Sequence, residues 1–230
     1  FFFSVLFGKV MEETGAAASI AKFLAELLGE KFAILGVIFS GAVLVYGGVT
    51  TLVVVFSLYP IALSLFKKAN LPRYLLPGAI AGGCFTFACA NFPGTPNLVN
   101  VIPTTYLGTN TMAAPLVGVI TGIAVMLMVC VYFLWEASRA RARGDCFVED
   151  EATTQSLVKA ASMVRLPSPI IAILPIVLIL ILLNVFKQHV VVAMLGGILL
   201  CVVLFFRNVH GVLDMFSYSA ENSAIAIINT

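Results

Sequence analysis

The residues with the richest chemistry in this chain crowd into one short stretch. Asn91-Phe92-Pro93-Gly94-Thr95-Pro96-Asn97 is followed by Asn100 and by Pro103-Thr104-Thr105, so amides, hydroxyls and prolines concentrate in residues 91–105. A proline has no N–H and leaves an upstream carbonyl free, so a Pro-Gly-Thr-Pro core does not continue a helix. A chain that unwinds here and rewinds after Pro96 presents a helix N-terminus. Its orphan N–H groups and partial positive charge suit a carboxylate. On this basis Gly94, Thr95, Asn97, Asn100, Thr104 and Thr105 are candidate substrate-binding residues. A second break, Tyr46-Gly47-Gly48-Val49-Thr50-Thr51, adds Gly48 and Thr50. A glycine pair serves equally well to let helices approach closely, so site and packing stand level there. A lone proline would be read as a packing kink; the density of polar groups around Gly94 favours a site.

The charge pattern says what such a site would hold. No Asp or Glu occurs between Lys31 and Trp135, and the basic residues of that stretch are Lys67, Lys68 and Arg73, grouped beside one short turn. Carboxylates within a membrane mark cation and proton routes, so their absence suits an anionic substrate met by neutral donors. A proton-coupling group must then lie elsewhere, with Glu221, Asp214 and His210 as the nearest candidates, on an amphipathic segment, 208–221, that reads first as the solvated face of an interfacial helix. The five cysteines form no CxxC pair and the two histidines stand apart, so no metal, cofactor or disulfide framework is expected. HExxH and GxSxG are absent, which argues against an enzyme and leaves no catalytic residue to name.

These residues need elements to position them, and composition dictates which. The chain of 230 residues is 61% hydrophobic and 10% charged, with a mean hydropathy of +1.08, too little polar surface for a water-soluble globule. A bilayer must cover it. Residues 113–135, 170–186 and 190–206 are apolar over lengths near the ~20 residues a spanning helix needs. The net charge of +2 comes from short clusters that read as membrane-flanking anchors, so nucleic acid is not an expected partner. The positive-inside rule places the turn at residues 67–73 and the cluster Arg139, Arg141, Arg143 in the cytoplasm. The expected fold is therefore an all-α polytopic membrane protein whose transmembrane helices include broken or re-entrant segments. Residues 1–135 form a first-half bundle with an amphipathic helix at 12–28 and a broken helix at 74–107. Residues 136–165 form a cytoplasmic linker, and residues 166–230 a transmembrane hairpin and the opening of a second half. The chain begins inside the apolar run Phe1-Phe2-Phe3 and stops inside another, which reads as an internal piece of a longer permease.

Three motifs carry a family resemblance: Phe7-Gly8-Lys9-Val10-Met11-Glu12-Glu13-Thr14-Gly15-Ala16-Ala17, the run from Tyr46-Gly47-Gly48 through Ser57-Leu58-Tyr59-Pro60, and Phe92-Pro93-Gly94-Thr95-Pro96-Asn97 through Ile102-Pro103-Thr104-Thr105-Tyr106-Leu107-Gly108-Thr109. Together they resemble the gluconate permease (GntP) family of the ion transporter superfamily. The resemblance implies a multi-pass permease of the bacterial inner membrane, with two inverted halves, importing gluconate or a related hydroxy carboxylate. Its partners would be a small organic anion, the lipid bilayer and protons, with sodium as the alternative coupling ion and a homo-oligomer as a further expectation. A passive anion channel is the competing class. A proline-rich Asn/Thr break without rings of basic residues suits a closed binding site better than a conduction path.

Overall fold

The computed structural model describes residues 2–149, 166–206, 215–221 and 223. Among them there is no strand. The helices are α1 (Phe2–Glu13), α2 (Ala16–Leu28), α3 (Ala33–Tyr46), α4 (Thr51–Lys68), α5 (Leu75–Cys84), α6 (Phe87–Ala90), α7 (Leu98–Leu107), α8 (Pro115–Arg143), α9 (Pro169–Asn184) and α10 (Val190–Leu204). Residues 215–221 are also helical. The all-α, polytopic membrane class expected from composition holds.

Two of these helices have the length and apolarity to cross a bilayer, α4 with 18 residues and α8 with 29. At 1.5 Å per residue they reach about 27 and 44 Å, against a hydrocarbon core of about 30 Å. Both end in basic residues, Lys67 and Lys68 on α4, Arg141 and Arg143 on α8, where the helix dipole favours cations. Proline opens α8 and α9 at the first helical position, where its missing N–H costs nothing. α9 and α10, with 16 and 15 residues, are shorter than one perpendicular crossing. They pack on each other as the expected hairpin, with Pro175 inside α9.

Several boundaries differ from the expectation. The helix read at 12–28 divides at Thr14-Gly15 into the end of α1 and the whole of α2. α2 buries Ala17, Ile20, Ala21 and Ala25, while Phe23 and Leu27 are exposed beside Lys22 and Glu26. It meets α3 at a 106° bend across residue 29, so the two make a broken span or re-entrant element. The break read at 91–97 is preceded by another at Phe85-Thr86, which separates α5 from α6. The last long helix runs on beyond Trp135 to Arg143.

α3 is the hub, packed against α2, α4, α5, α6 and α8, while the α9–α10 hairpin lies on α1 and α2. Lipid gives helices no hydrophobic reason to associate, so contact relies on small residues that admit close approach. Gly83 lies against the Ile38 carbonyl, and Gly36 leaves room for only 3.1 Å between a would-be Cβ and the Ala25 Cα. The outer face of α8 is the opposite case, with Leu116, Val117, Ile120, Met128 and Val131 exposed as a lipid-facing surface requires. At one end of the bundle the two basic clusters come together. Lys67 pairs with Glu149, Asn70 Oδ1 accepts from the Phe147 amide at 3.1 Å, and Arg143 donates to the Tyr74 hydroxyl at 3.0 Å. The turn at 67–74 and the chain after α8 thus lie on the same side of the membrane.

Candidate functional site

The two breaks read separately along the chain meet in space. α3 ends at Tyr46, and the turn closes with Gly47 N donating to Val43 O, Gly48 N to Val45 O and Val49 N to Leu44 O, at 3.0–3.1 Å. Gly48 has a φ of +92°, a conformation that a side chain disfavours, and α4 starts three residues later. In the second break Gly94 has a φ of +83° and α7 starts after Asn97. Three contacts join the breaks. The Tyr46 hydroxyl donates to Pro93 O at 3.0 Å, the Thr95 hydroxyl donates to Tyr46 O at 2.9 Å, and Gly48 abuts Pro96 so closely that a Cβ would sit 2.7 Å from its Cγ.

An unwound backbone at membrane depth has to find partners inside the protein. Gly94 N donates to Thr111 O at 2.8 Å, and Gly94 O accepts from Asn184 Nδ2 at 2.9 Å. Asn100 Nδ2 bridges Thr95 O at 3.2 Å and Thr111 O at 3.0 Å. Thr95, fully buried, commits its proton to Tyr46 and accepts from the Asn97 amide at 3.3 Å, so it ties one break to the other. Asn97 caps α7, its Oδ1 accepting from Val99 N at 3.4 Å, which leaves its NH2 group for another acceptor.

Some polar groups remain uncommitted. Thr50 Oγ1 and Asn184 Oδ1 are buried without a hydrogen-bond partner, as is Ser57 Oγ about two turns further along α4. Thr50 precedes α4 but its side chain makes no cap, so α4 lacks the side-chain acceptor that Asn97 gives Val99 N at the start of α7. The lysines of α4 lie at its far end, about 25 Å away at the helical rise. The crossing therefore offers hydroxyl, amide and N–H donors in a setting free of formal charge from its own segments.

Gly48, Thr50, Gly94, Thr95, Asn97 and Asn100 all belong to this crossing or its supports. Thr104 instead bonds back to Val101 O at 2.7 Å in its own helix, and Thr105 is exposed. Glu221 is exposed, and His210 and Asp214 lie outside the described residues. Sequence reasoning missed two participants, Tyr46 and Asn184. Tyr46 gave no signal beyond its place before the glycine pair. Asn184 is the one polar side chain in the apolar run 170–186, a signal that was available.

A family model described as GntP family permease matches residues 1–208. Among curated proteins, an "Uncharacterized transporter YxjC" of Bacillus subtilis (strain 168) is 45% identical over 145 residues, which cover 63% of this chain and 31% of that protein. The matched stretch thus spans about a third of that relative's length. No solved structure matches.

Proposed function

Because the chain belongs to the GntP family of permeases, we propose that the whole protein is a secondary active transporter importing a small organic anion, gluconate or another hydroxy carboxylate, across the bacterial inner membrane in symport with protons. The observation that carries this reading is the crossing of the two breaks. The first break carries the buried Thr50 Oγ1, set against Gly8 of α1, and the second carries the free amide of Asn97, so each supplies a neutral donor beside unwound backbone held by protein. A carboxylate placed there gains charge-assisted hydrogen bonds without a buried lysine or arginine. Breaks of this kind near the midplane, set between two inverted halves, suit alternating access, in which one bundle rocks about a fixed site. The described residues show no acid among the crossing's contacts, so the proton is carried elsewhere, with Glu221, Asp214 and His210 as the candidates in this chain.

Uptake of radiolabelled gluconate and 3-hydroxybutyrate by proteoliposomes, with and without an imposed pH gradient, tests the proposal. Saturable uptake that rises with an inward proton gradient and collapses with a protonophore is the expected result. Flux that does not saturate and ignores the gradient would assign the protein to the passive anion channels. A response to sodium instead would replace the coupling ion.

A further inference from the structure

We propose that Asn184 is a specificity-determining residue that reads a hydroxyl group on the transported anion, its Oδ1 accepting the hydroxyl proton. The inference rests on the transporter reading for its occupant and on the geometry of Asn184 for its chemistry. Asn184 closes α9, in an otherwise apolar helix where an amide is costly to bury unless its groups are satisfied. Its orientation is fixed by its partner. Gly94 O accepts only, so Nδ2 must face it, at 2.9 Å. Rotating the amide would set two oxygens against each other. Oδ1 is then turned away, buried, and without a donor.

An acceptor in that position awaits a particular chemistry. A carboxylate oxygen is repelled by Oδ1, so the anion's charged end belongs to the donors at Thr50, Asn97 and the start of α4. A multivalent metal ion calls for several carboxylate, thiolate or imidazole ligands, and among the described residues no group of three or more His, Cys, Asp or Glu could hold one. An O–H donor satisfies Oδ1 without charge. Gly94 is what lets the amide sit so close to the break, since a Cβ there would lie 2.9 Å from Oδ1, 2.9 Å from Met112 Sδ and 3.1 Å from Nδ2. A site that hydrogen-bonds a substrate hydroxyl discriminates strongly against the analogue lacking it, because the buried acceptor is then left unpaired.

The test uses the full-length protein in proteoliposomes and two probe pairs that differ by hydroxylation, 3-hydroxybutyrate with butyrate and gluconate with 2-deoxygluconate. Apparent affinities are compared within each pair. The wild type is expected to favour the hydroxylated member of at least one pair by about tenfold or more, as loss of one such hydrogen bond implies. Asn184→Ala should narrow that preference to about threefold or less, because both members lose the support of the bond to Gly94 O and only the hydroxylated member also loses its acceptor. Asn184→Met, apolar and of similar length, is read in the same way should the alanine variant insert poorly. Equal weakening for both members would show that Asn184 only ties α9 to Gly94. An unchanged preference in the variants would also overturn the assignment while leaving the transporter reading intact. A wild type that takes up all four probes without preference would overturn it too, whereas a wild type that takes up none would sink the transporter reading and this proposal with it.

Discussion

Gly48→Ala asks whether the two breaks must touch. At a φ of +92° a side chain is strained, at a cost of about 1–2 kcal/mol. The new Cβ would also stand 2.7 Å from Pro96 Cγ and 2.9 Å from Met194 Cε. Met194 has rotatable bonds and can swing aside, but the Pro96 ring is fixed to the backbone of the second break. The two breaks must therefore part by several tenths of an ångström, and overpacking of this kind adds about 1–3 kcal/mol. Together the terms come to about 2–5 kcal/mol. The bonds that stretch are those from Tyr46 to Pro93 and from Thr95 to Tyr46, so uptake should suffer along with stability. Gly108→Ala supplies the control: its φ is +62° and a Cβ there meets nothing within 4 Å, leaving the backbone cost alone. Initial uptake in proteoliposomes at matched insertion, with melting of the purified proteins, separates the effects. We expect Gly48→Ala to lose at least tenfold in uptake and several degrees in Tm, and Gly108→Ala to keep near wild-type uptake. Equal losses in the two variants, or wild-type uptake in Gly48→Ala, would refute the claim that contact between the breaks matters.

Thr95→Val should strand the Tyr46 carbonyl and the Asn97 amide and cost about 1–3 kcal/mol, seen as a lower Tm, whereas Thr95→Ser should recover most of it. Asn97→Ala should raise the half-saturating substrate concentration by about ten- to a hundredfold with insertion intact, measured by radiolabelled uptake; an unchanged value would confine Asn97 to capping α7. Cys146 is exposed beside the paired basic clusters and serves as a native topology reporter. A membrane-impermeant maleimide should modify it in inverted vesicles and spare it in intact cells, and the reverse pattern would overturn the cytoplasmic placement of both clusters.

Local causes were legible in the sequence, and pairings were not. α4 and α8 could be read because an unbroken apolar run ending in Lys or Arg leaves few alternatives to a spanning helix. The unwinding at Pro93–Pro96 could be read because a proline acts on its own backbone. That this break meets Gly47-Gly48 left no local trace, since the contacts join residues 47 and 49 positions apart. The same limit applies to Thr95. Its hydroxyl was legible as a donor, but only the fold shows that the proton goes to Tyr46 O. The α2 pattern set Ile20, Phe23, Leu24, Leu27 and Leu28 on one apolar face. Ile20 is buried as that face requires and Leu24 packs on the core, but close helix packing adds the small residues Ala17, Ala21 and Ala25 to the interior and leaves Phe23 and Leu27 outside.

The bond from Asn184 to Gly94 spans 90 positions of chain, and that separation bears on how the protein is made. At about 5–20 residues per second, roughly 5–20 s pass between synthesis of the break and synthesis of the amide that completes it. Through that interval the Gly94 carbonyl lacks its native partner, and lipid around it would offer none. The nascent chain must wait in a hydrated setting, or under the cover of the insertion machinery, until α9 arrives. Maturation of the crossing is therefore a late, non-local event, and a ribosome stalled before Asn184 would leave a membrane intermediate recognisable to quality-control proteases.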